Sequence, residues 1–407
     1  MKRFIVNGAR PLVGEVTVSG SKNAALPILF STLATRGVSK IKNVPDIGDV
    51  RITLNILRGM GARITRHGAE VTVDTTALSY APPCESETSE IRASTYLIGA
   101  CLAGFGVSDI VSFGGCNFAK RPIDLHLYAA ECFGATVEER VVRCSSLTGA
   151  EVRLGKRSVG ATVNSLIMAA RARGRSKIYN YAEEPHILDL IEFLRSAGAK
   201  IELLPEYISV EGKELSGGEV TVGGDMIEAG SYAAFTLATG GDILIKGISE
   251  RELSSSISLI REAGGGASVS PLGIRIYGKP KRSFELTAEP YPGFPTDLQP
   301  LFSTLMAYSM GGACTDTVFP ERFSHLRTLS PLGVGYYKVM DRIIVPRIRL
   351  RLAASVTAPD LRGGAACLLA ALATGGESRI LAAEKILRGY ERPQEKLSAL
   401  GADIRLA

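Results

Sequence analysis

The chain repeats itself at half its length, and this duplication restricts the fold more than any other feature. The segment Gly14-Glu-Val-Thr-Val-Ser-Gly-Ser-Lys-Asn-Ala-Ala leads to Phe30-Ser-Thr-Leu-Ala-Thr35. Its counterpart, Gly218-Glu-Val-Thr-Val-Gly-Gly-Asp-Met-Ile-Glu-Ala, leads to Phe235-Thr-Leu-Ala-Thr239. The offset is 204 residues at both ends, without a gap, in a chain of 407 residues. The sequence therefore predicts two similar halves that arose by internal duplication.

A shorter period lies inside each half. An amphipathic helical pattern ends in a glycine followed by a strand pattern at six places, Gly61-Ala62, Gly134-Ala135, Gly198-Ala199, Gly264–Ala267, Gly333-Val334 and Gly401-Ala402, spaced 64 to 73 residues apart. Glycine is the residue expected just after a helix, and alternating strands such as Glu70–Val73 follow. The chain thus predicts six units of similar size, three in each half.

A second type of helix in these units has no polar face. Residues 24–34, 161–170 and 363–373 are apolar or small on every side, which is typical of helices in a protein interior. We therefore expect buried helices surrounded by strands and amphipathic helices. An open βαβ sheet is the alternative, and its helices should each keep one polar face.

Composition limits the partners. Apolar residues make up 45% and charged residues 22%, and the net charge of +6 includes no run of lysines or arginines. This gives little support for nucleic acid and suits small acidic ligands. No apolar stretch reaches the length of a membrane span, and no signal peptide is recognisable. We expect a soluble, cytoplasmic monomer that binds neither nucleic acid nor membrane.

The cysteines and histidines argue against disulfides and metals. Seven cysteines, at positions 84, 101, 116, 132, 144, 314 and 367, form no C-x-x-C pair, and the chain has four scattered histidines. This pattern favours a reducing compartment and predicts no metal site and no cofactor.

Charged residues recur where the buried helices begin. These positions read Lys22-Asn23, Arg92, Lys156-Arg157-Ser158-Val159-Gly160, Glu228, Pro295-Thr296-Asp297 and Asp360-Leu361-Arg362. Such charges are costly unless they meet each other or a ligand, and helix N-termini suit phosphate. If the repeats are equivalent, these groups converge on one cleft between the halves. With Arg121 and Arg388, they predict a strongly anionic substrate.

One loop has the composition of a reactive lid. Gly114 and Gly115 precede Cys116, and Lys120 and Arg121 follow within five residues. Nearby cations favour a thiolate and hold anions, and the glycines allow the loop to close. A surface turn with an inert thiol is the alternative for this segment taken alone.

Four motifs together resemble the UDP-N-acetylglucosamine 1-carboxyvinyltransferase family of enolpyruvyl transferases. They are Ser19-Gly-Ser-Lys-Asn-Ala-Ala-Leu-Pro27, Gly114-Gly-Cys116 with Arg121-Pro-Ile-Asp-Leu-His126, Phe294-Pro-Thr-Asp297 and Arg388-Gly-Tyr-Glu-Arg392. The similarity covers essentially the whole chain. It implies an α/β fold of two inside-out α/β barrel (prism) domains, each of three repeated βαβαββ-type units. The implied domains are residues 22–224 and residues 1–21 with 225–407, with the active site in the cleft between them.

The resemblance also implies a reaction. The family transfers the enolpyruvyl group of phosphoenolpyruvate to the 3′-hydroxyl of UDP-N-acetylglucosamine and releases phosphate, the first committed step of peptidoglycan synthesis. Cys116 resembles the family's proton donor towards C3, which the antibiotic fosfomycin alkylates, and Asp297 resembles its general base. Lys22, Arg121, Arg362 and Arg388 resemble the residues that hold phosphoenolpyruvate, and Lys22, Arg121 and Arg388 count with Cys116 and Asp297 as catalytic.

The positions that match family contacts to the substrates form a larger set. It comprises Lys22, Asn23, Arg92, Arg121, Pro122, Ile123, Asp124, Leu125, Lys156, Arg157, Ser158, Val159, Asp297, Val318, Asp360, Arg362 and Arg388.

The chain departs from the family pattern at Pro320-Glu321, at Lys385-Ile386-Leu387 and at Glu183. These departures leave two alternatives open. One is a related transferase acting on shikimate 3-phosphate, which has no Gly-Gly-Cys lid. The other is a non-catalytic homologue that binds the nucleotide sugar without turnover.

Overall fold

The computed structural model describes residues 2–115 and 121–407, and its contacts divide the chain into two compact units. The first unit is residues 20–223; the second is residues 1–19 with residues 224–407. Cys116, which the resemblance assigns as proton donor, lies outside the described residues.

The chain starts in the second unit with the strands β1 (Arg3–Asn7) and β2 (Val13–Thr17). The strands of the first unit are β3 (Val38–Lys42), β4 (Arg63–His67), β5 (Glu70–Asp74), β6 (Val107–Asp109), β7 (Thr136–Glu138), β8 (Val141–Arg143), β9 (Glu151–Arg153), β10 (Arg175–Tyr179), β11 (Lys200–Leu203), β12 (Tyr207–Glu211) and β13 (Glu219–Thr221). Its α-helices are α1 (Lys22–Ser31), α2 (Gly48–Gly59), α3 (Glu85–Thr88), α4 (Leu97–Phe105), α5 (Asp124–Cys132), α6 (Val159–Arg171) and α7 (Pro185–Ser196). Short 3₁₀ helices span Thr32–Ala34 and Arg92–Tyr96.

The second unit continues with the strands β14 (Asp242–Lys246), β15 (Gly266–Ser270), β16 (Gly273–Tyr277), β17 (Phe284–Ala288), β18 (Gly312–Asp316), β19 (Tyr337–Val339), β20 (Arg342–Val345), β21 (Ser355–Thr357), β22 (Glu377–Leu381) and β23 (Asp403–Leu406). Its α-helices are α8 (Met226–Thr239), α9 (Glu250–Glu262), α10 (Gln299–Tyr308), α11 (Ser324–Thr328), α12 (Leu361–Ala373) and α13 (Pro393–Ala399). Two 3₁₀ helices span Ser330–Leu332 and Ala383–Arg388.

The sheets repeat one design within each unit. Over the described residues, the first unit has the strand orders β13-β3-β5-β4, β6-β8-β7 and β11-β12-β10-β9, and the second has β15-β16-β14-β2, β17-β18-β20-β19 and β21-β22-β1-β23. In the four-stranded sheets, antiparallel strands are extended by one parallel strand, as in the pairing of Glu219 with Lys40. β1 lies between β22 and β23 and pairs antiparallel with both, so the start of the chain completes the last sheet.

The interior of each unit is helical. Every residue of α8, α10 and α12 is buried, and α10 packs against both of the others. In the first unit, α4 packs against α6 and α1, and residues 161–170 of α6 are all buried. These helices lack the polar face that the open-sheet alternative required. The predicted α/β fold with helices inside and strands outside is confirmed.

Glycine ends the amphipathic part of each repeat. The six glycines at these turns all have positive φ angles, between 77° and 117°: Gly61, Gly134, Gly198, Gly264, Gly333 and Gly401. Residues with a Cβ rarely adopt this left-handed conformation, so the turn selects glycine. No helix in the part of the chain that the structure describes is both long and apolar enough to span a bilayer.

Candidate functional site

In the second unit, Asp297 is held between two buried arginines. Arg362 donates from Nε and Nη2 to Asp297 Oδ2 at 3.1 and 3.0 Å, and Arg322 donates from Nη1 to Asp297 Oδ1 at 2.8 Å. The arginine side chains are 3% and 6% exposed, whereas that of Asp297 is 29% exposed. The carboxylate is therefore the member of this cluster that solvent or a ligand reaches first.

Arg362 owes its position to the start of α12. Asp360 caps this helix, because its Oδ1 accepts from the backbone N–H groups of Arg362 and Gly363, both at 2.9 Å. The guanidinium lies over the Tyr390 ring, 5.3 Å from its centre, and the Tyr390 hydroxyl is 2.7 Å from Ser231 Oγ. Although burial opposes the charge, Asp297 raises the pKa of Arg362 above its usual value. Arg362 is therefore a fixed cation.

Arg322 is a member of this cluster that the sequence reasoning missed. It stands just after Pro320-Glu321, where the chain departs from the family pattern. Its Nη1 also donates to Thr296 Oγ1 at 3.2 Å, and that hydroxyl donates to Asp316 Oδ2 at 2.6 Å. The only sequence signal for Arg322 is its charge between the apolar residues Phe319 and Phe323, which does not reveal its partner.

Asp316 and His325 support the cluster from within the unit. Asp316 Oδ1 accepts from the backbone N–H groups of Val318 and Phe319 at 3.0 and 2.7 Å, which fixes the predicted contact residue Val318. His325 Nε2 lies 2.9 Å from Ser303 Oγ, and burial followed by the charge of Arg322 lowers the pKa of His325 to about 3. His325 is therefore neutral at physiological pH.

Arg388 and Lys385 lie at the 3₁₀ helix that precedes Tyr390. Arg388 is the last residue of this helix and is half-buried. Lys385 Nζ donates to the carbonyl oxygens of Ala358 and Pro359, both at 3.0 Å, directly before the α12 cap. The departure at Lys385 therefore supplies a contact that fastens the entry to α12.

In the first unit, Lys22 opens the buried helix α1. Its Nζ is 3.5 Å from Asp49 Oδ2, and the two side chains are 14% and 7% exposed. Asn23 follows in the same turn and is half-buried. α1 packs against α2 and against the 3₁₀ helix that begins at Arg92. This packing within the first unit fixes the position of the helix start that carries Lys22.

Arg92 and Arg121 lie close together. Arg92 Nη2 donates to the carbonyl oxygens of Arg121 and, at 3.3 Å, Pro122. A Cβ built on Gly115 would lie 2.4 Å from Arg121 Nη2 and 2.8 Å from Arg92 Cβ, so only glycine leaves room here. Burial, followed by the charge of Arg121, lowers the pKa of Arg92 to about 10. Two crowded guanidiniums favour an anion beside them.

His126 lies on α5 and contacts α6. It is not among the predicted site residues. A Cβ on Gly160 would lie 2.7 Å from His126 Cε1, so the imidazole rests on the first turn of α6. His126 Nδ1 is 2.7 Å from Asn164 Nδ2, and that nitrogen donates to the Thr95 carbonyl at 3.0 Å. Since the amide is the donor, Nδ1 is the acceptor and the ring is neutral. This contact fixes the turn formed by Ile123, Asp124 and Leu125.

The predicted site residues just before α6 are more exposed than the buried arginines around Asp297. Ser158 caps the helix, and its Oγ accepts from Ala161 N at 3.3 Å. Arg157 Nη2 is 2.8 Å from Glu183 Oε1, so the departure at Glu183 provides an ion-pair partner. Lys156 is exposed, and Val159 is half-buried at the first position of α6.

The structure thus brings some predicted residues together within each unit. Arg92, Arg121 and Pro122 are in contact in the first unit, and Asp297 with Arg362 in the second. Lys22 and Asn23 lie at the start of α1, whereas Arg157 and Ser158 lie just before α6.

Comparisons with known proteins agree with this architecture. The model of the protein family described as EPSP synthase (3-phosphoshikimate 1-carboxyvinyltransferase) matches residues 6–397. The chain is 37% identical over 412 residues to "UDP-N-acetylglucosamine 1-carboxyvinyltransferase 3" of Caldanaerobacter subterraneus subsp. tengcongensis, with 99% of each chain covered. It is also 37% identical to the "UDP-N-acetylglucosamine 1-carboxyvinyltransferase" of Halothermothrix orenii, covering 100% of this chain and 99% of the relative.

Solved structures give the same result for the fold. The enolpyruvyl transferase NikO from Streptomyces tendae superimposes with a TM-score of 0.87 at 25% identity, covering 100% of this chain and 99% of the other. EPSP synthase from Acinetobacter baumannii superimposes with a TM-score of 0.73 at 19% identity over the full length of both chains. Since the family match and the relatives extend over nearly the whole sequence, the chain belongs to the EPSP synthase family of enolpyruvyl (1-carboxyvinyl) transferases.

Proposed function

We propose that this chain transfers the enolpyruvyl group of phosphoenolpyruvate to the 3′-hydroxyl of UDP-N-acetylglucosamine and releases phosphate, the first committed step of peptidoglycan synthesis in the cytoplasm. The observation that carries the proposal is the partly exposed Asp297 carboxylate between the buried cations Arg322 and Arg362. A carboxylate beside fixed positive charge supports the proposal, because enolpyruvyl transfer needs a group that accepts the hydroxyl proton and cations that stabilise the phosphate.

The proposed reaction has two steps, an addition and an elimination. The acceptor hydroxyl adds to C2 of phosphoenolpyruvate, its proton passes to Asp297, and C3 receives a proton from Cys116. The tetrahedral intermediate then returns a proton from C3 to the Cys116 thiolate and expels inorganic phosphate, which takes up the proton held by Asp297. These transfers restore the C2–C3 double bond and both side chains. No oxidant or reductant is involved, and the cations stabilise the phosphate and carboxylate charges.

We assign the remaining residues from their matches to family positions. Lys22, Arg121, Arg362 and Arg388 hold phosphoenolpyruvate. The sites for the nucleotide sugar are Asn23, Arg92, Pro122, Ile123, Asp124, Leu125, Lys156, Arg157, Ser158, Val159, Val318 and Asp360. The exposed or half-buried state of most of these side chains is compatible with ligand contact. We further propose that both units serve the same reaction and that the protein acts as a monomer.

The choice of acceptor rests on the end-to-end relatives named for UDP-N-acetylglucosamine and on the Gly114-Gly115-Cys116 motif. The experiment is a phosphate-release assay with phosphoenolpyruvate and either UDP-N-acetylglucosamine or shikimate 3-phosphate. We expect release only with the nucleotide sugar. Release only with shikimate 3-phosphate would overturn the acceptor, and binding of the nucleotide sugar without release would favour the non-catalytic homologue.

A thiol-labelling experiment tests the role of Cys116. We expect Cys116→Ser to slow turnover severely and to abolish alkylation by fosfomycin. Cys84→Ser is the matched control, because Cys84 is exposed and the hydroxyl of Ser86, 3.1 Å away, lowers the pKa of its thiol. Labelling that survives in Cys116→Ser but disappears in Cys84→Ser would show that Cys84 is the reactive thiol.

A further inference from the structure

The exposed surface of residues 337–352 is both cationic and apolar. This stretch, Tyr-Lys-Val-Met-Asp-Arg-Ile-Ile-Val-Pro-Arg-Ile-Arg-Leu-Arg-Leu, carries five cationic residues and one acidic residue. Its exposed apolar side chains are Tyr337, Val339, Met340, Leu350 and Leu352. We call this surface the basic-apolar strip. It belongs wholly to the second unit, and the proposed reaction gives its residues no role.

The apolar side chains project furthest at the tip of the β19–β20 hairpin. Met340 is 89% exposed and Tyr337 is 55% exposed. β19 is the outer strand of its sheet, and all three of its residues are exposed. Exposure of large apolar side chains to water is unfavourable. A partner that covers them at the hairpin tip would gain binding free energy from their burial.

The segment after β20 continues the same surface. Leu350 is 65% exposed, and its carbonyl oxygen lies 2.4 Å from the position a Cβ on Gly333 would take. Gly333 precedes Tyr337 by four residues, a span of at most about 14 Å of chain. Leu350 and Tyr337 therefore lie within about 18 Å of each other, a distance that one broad partner surface can span.

The strip carries more cations than acidic partners. Lys338 and Arg349 are exposed, and among the described residues neither has an ion-pair partner. Arg347 Nη1 contacts Met310 Sδ at 3.7 Å, and Met310 is another exposed apolar residue. Burial, followed by the charge of Arg351, lowers the pKa of Lys279, which places a further cation beside the strip. Arg342 faces an acidic partner, Glu285, at 2.7 Å.

We propose that the basic-apolar strip docks the protein on the surface of an anionic phospholipid bilayer. Cations beside protruding Met, Leu and Tyr side chains suit this partner, because phosphate headgroups attract the cations while the apolar groups enter the interface. The earlier expectation of no membrane partner rested on the lack of a spanning segment, which does not address surface docking. The five cations of the strip are separated by apolar residues and form no run, so composition does not reveal the strip.

Sedimentation of the full-length protein with vesicles tests the proposal. One vesicle set contains phosphatidylcholine alone, and the other contains phosphatidylcholine with phosphatidylglycerol. We expect binding only to the anionic set, and weaker binding at high salt because screening shortens the reach of the cations. Wild-type protein that binds neither set, or both sets equally, overturns the proposal.

Variants distinguish docking by the basic-apolar strip from non-specific binding to vesicles. Lys338→Glu with Arg349→Glu should reduce binding at least tenfold, since each cation near an anionic surface contributes roughly fivefold. Met340→Ser with Leu350→Ser should also weaken binding. Leu272→Ser is the matched control, because Leu272 is 73% exposed at the β15–β16 turn outside the strip. Thermal unfolding of each variant checks that the fold is intact.

Two further outcomes would reject the proposal. Wild-type binding by the charge-reversed variant would exclude these cations, and equal losses in Leu272→Ser and Met340→Ser/Leu350→Ser would exclude the strip. If wild-type protein ignores anionic vesicles but binds polyglutamate, the surface serves an acidic polypeptide instead. None of these results depends on phosphate release, so this proposal and the proposed function fail separately.

Discussion

Asp297 and Arg362 form a two-pronged contact in which Nε and Nη2 of the arginine both reach Oδ2 of the aspartate, at 3.1 and 3.0 Å. The arginine is buried at the start of α12, and the aspartate stands two residues before α10. Under the proposed function, an anionic substrate competes with Asp297 for this guanidinium. Substrate binding then loosens the carboxylate that the proposal assigns as proton acceptor.

Asp297→Asn tests both sides of this competition. The amide cannot act as a base, so we expect phosphate release to fall by about 10²–10⁴-fold, the usual contribution of general acid–base catalysis. The neutral side chain also leaves Arg322 and Arg362 without their carboxylate, so inorganic phosphate should bind more tightly. Steady-state kinetics and titration calorimetry measure the two effects. Full activity in Asp297→Asn would remove its assigned role, and the exposed Asp341→Asn serves as control.

Arg322→Lys tests whether Arg322 positions Asp297. Lysine keeps the charge but lacks the rigid guanidinium that holds Nη1 within reach of both Thr296 Oγ1 and Asp297 Oδ1. We expect kcat to fall by about tenfold with a shifted pH profile and little change in KM for the nucleotide sugar, as for other loosened positioning contacts. A drop in thermal stability with an unchanged pH profile would instead identify Arg322 as purely structural.

The Glu228–Lys396 pair gives a stability prediction. Lys396 Nζ donates to Glu228 Oε1 and Ser19 Oγ, both at 2.7 Å, and Glu228 Oε2 accepts from Ser19 N at 2.6 Å. Burial raises the pKa of Glu228, and Lys396 opposes this. Lys396→Met leaves a buried carboxylate unpaired and should lower the free energy of unfolding by about 3–5 kcal/mol.

Chemical denaturation measures this loss. In the double variant Lys396→Met/Glu228→Gln, part of the stability should return, because the unpaired charge is gone. Lys42→Met is the matched control, since Lys42 and Glu219 are 46% and 56% exposed and their ion pair contributes little. Equal losses in Lys396→Met and Lys42→Met would contradict the importance of burial.

Local sequence patterns predicted the parts of this fold that depend on local physics. The six turn glycines and the helices without a polar face are each visible within about fifteen residues, because capping and burial act on neighbouring positions. The duplication supplied the two similar halves. Asp360 and Ser158 were also placed correctly at helix starts, where their side chains cap α12 and α6.

Contacts between residues far apart in the sequence could not be predicted from local sequence patterns. Arg322 meets Asp297 across 25 residues, and Lys396 meets Glu228 across 168 residues. The position of the His126 ring depends on a distant residue, Gly160, because a side chain there would collide with the ring. A single sequence gives the charge of such residues but not the partner, because the partner is chosen by packing.

The two buried histidines near the candidate site residues predict an acid-sensitive fold. Burial, followed by the charge of Arg92, lowers the pKa of His126 to about 4, and burial with Arg322 lowers that of His325 to about 3. Between these values and the unfolded value of about 6.5, the unfolded chain binds protons that the folded chain does not. Stability therefore falls as the pH drops from 6.5 towards 4, by roughly 2 kcal/mol for each histidine at pH 5. Urea denaturation at pH 7, 6 and 5 measures the slope, which His325→Gln should reduce and the exposed His67→Gln should not. An unchanged slope in His325→Gln would show that other groups cause the acid sensitivity.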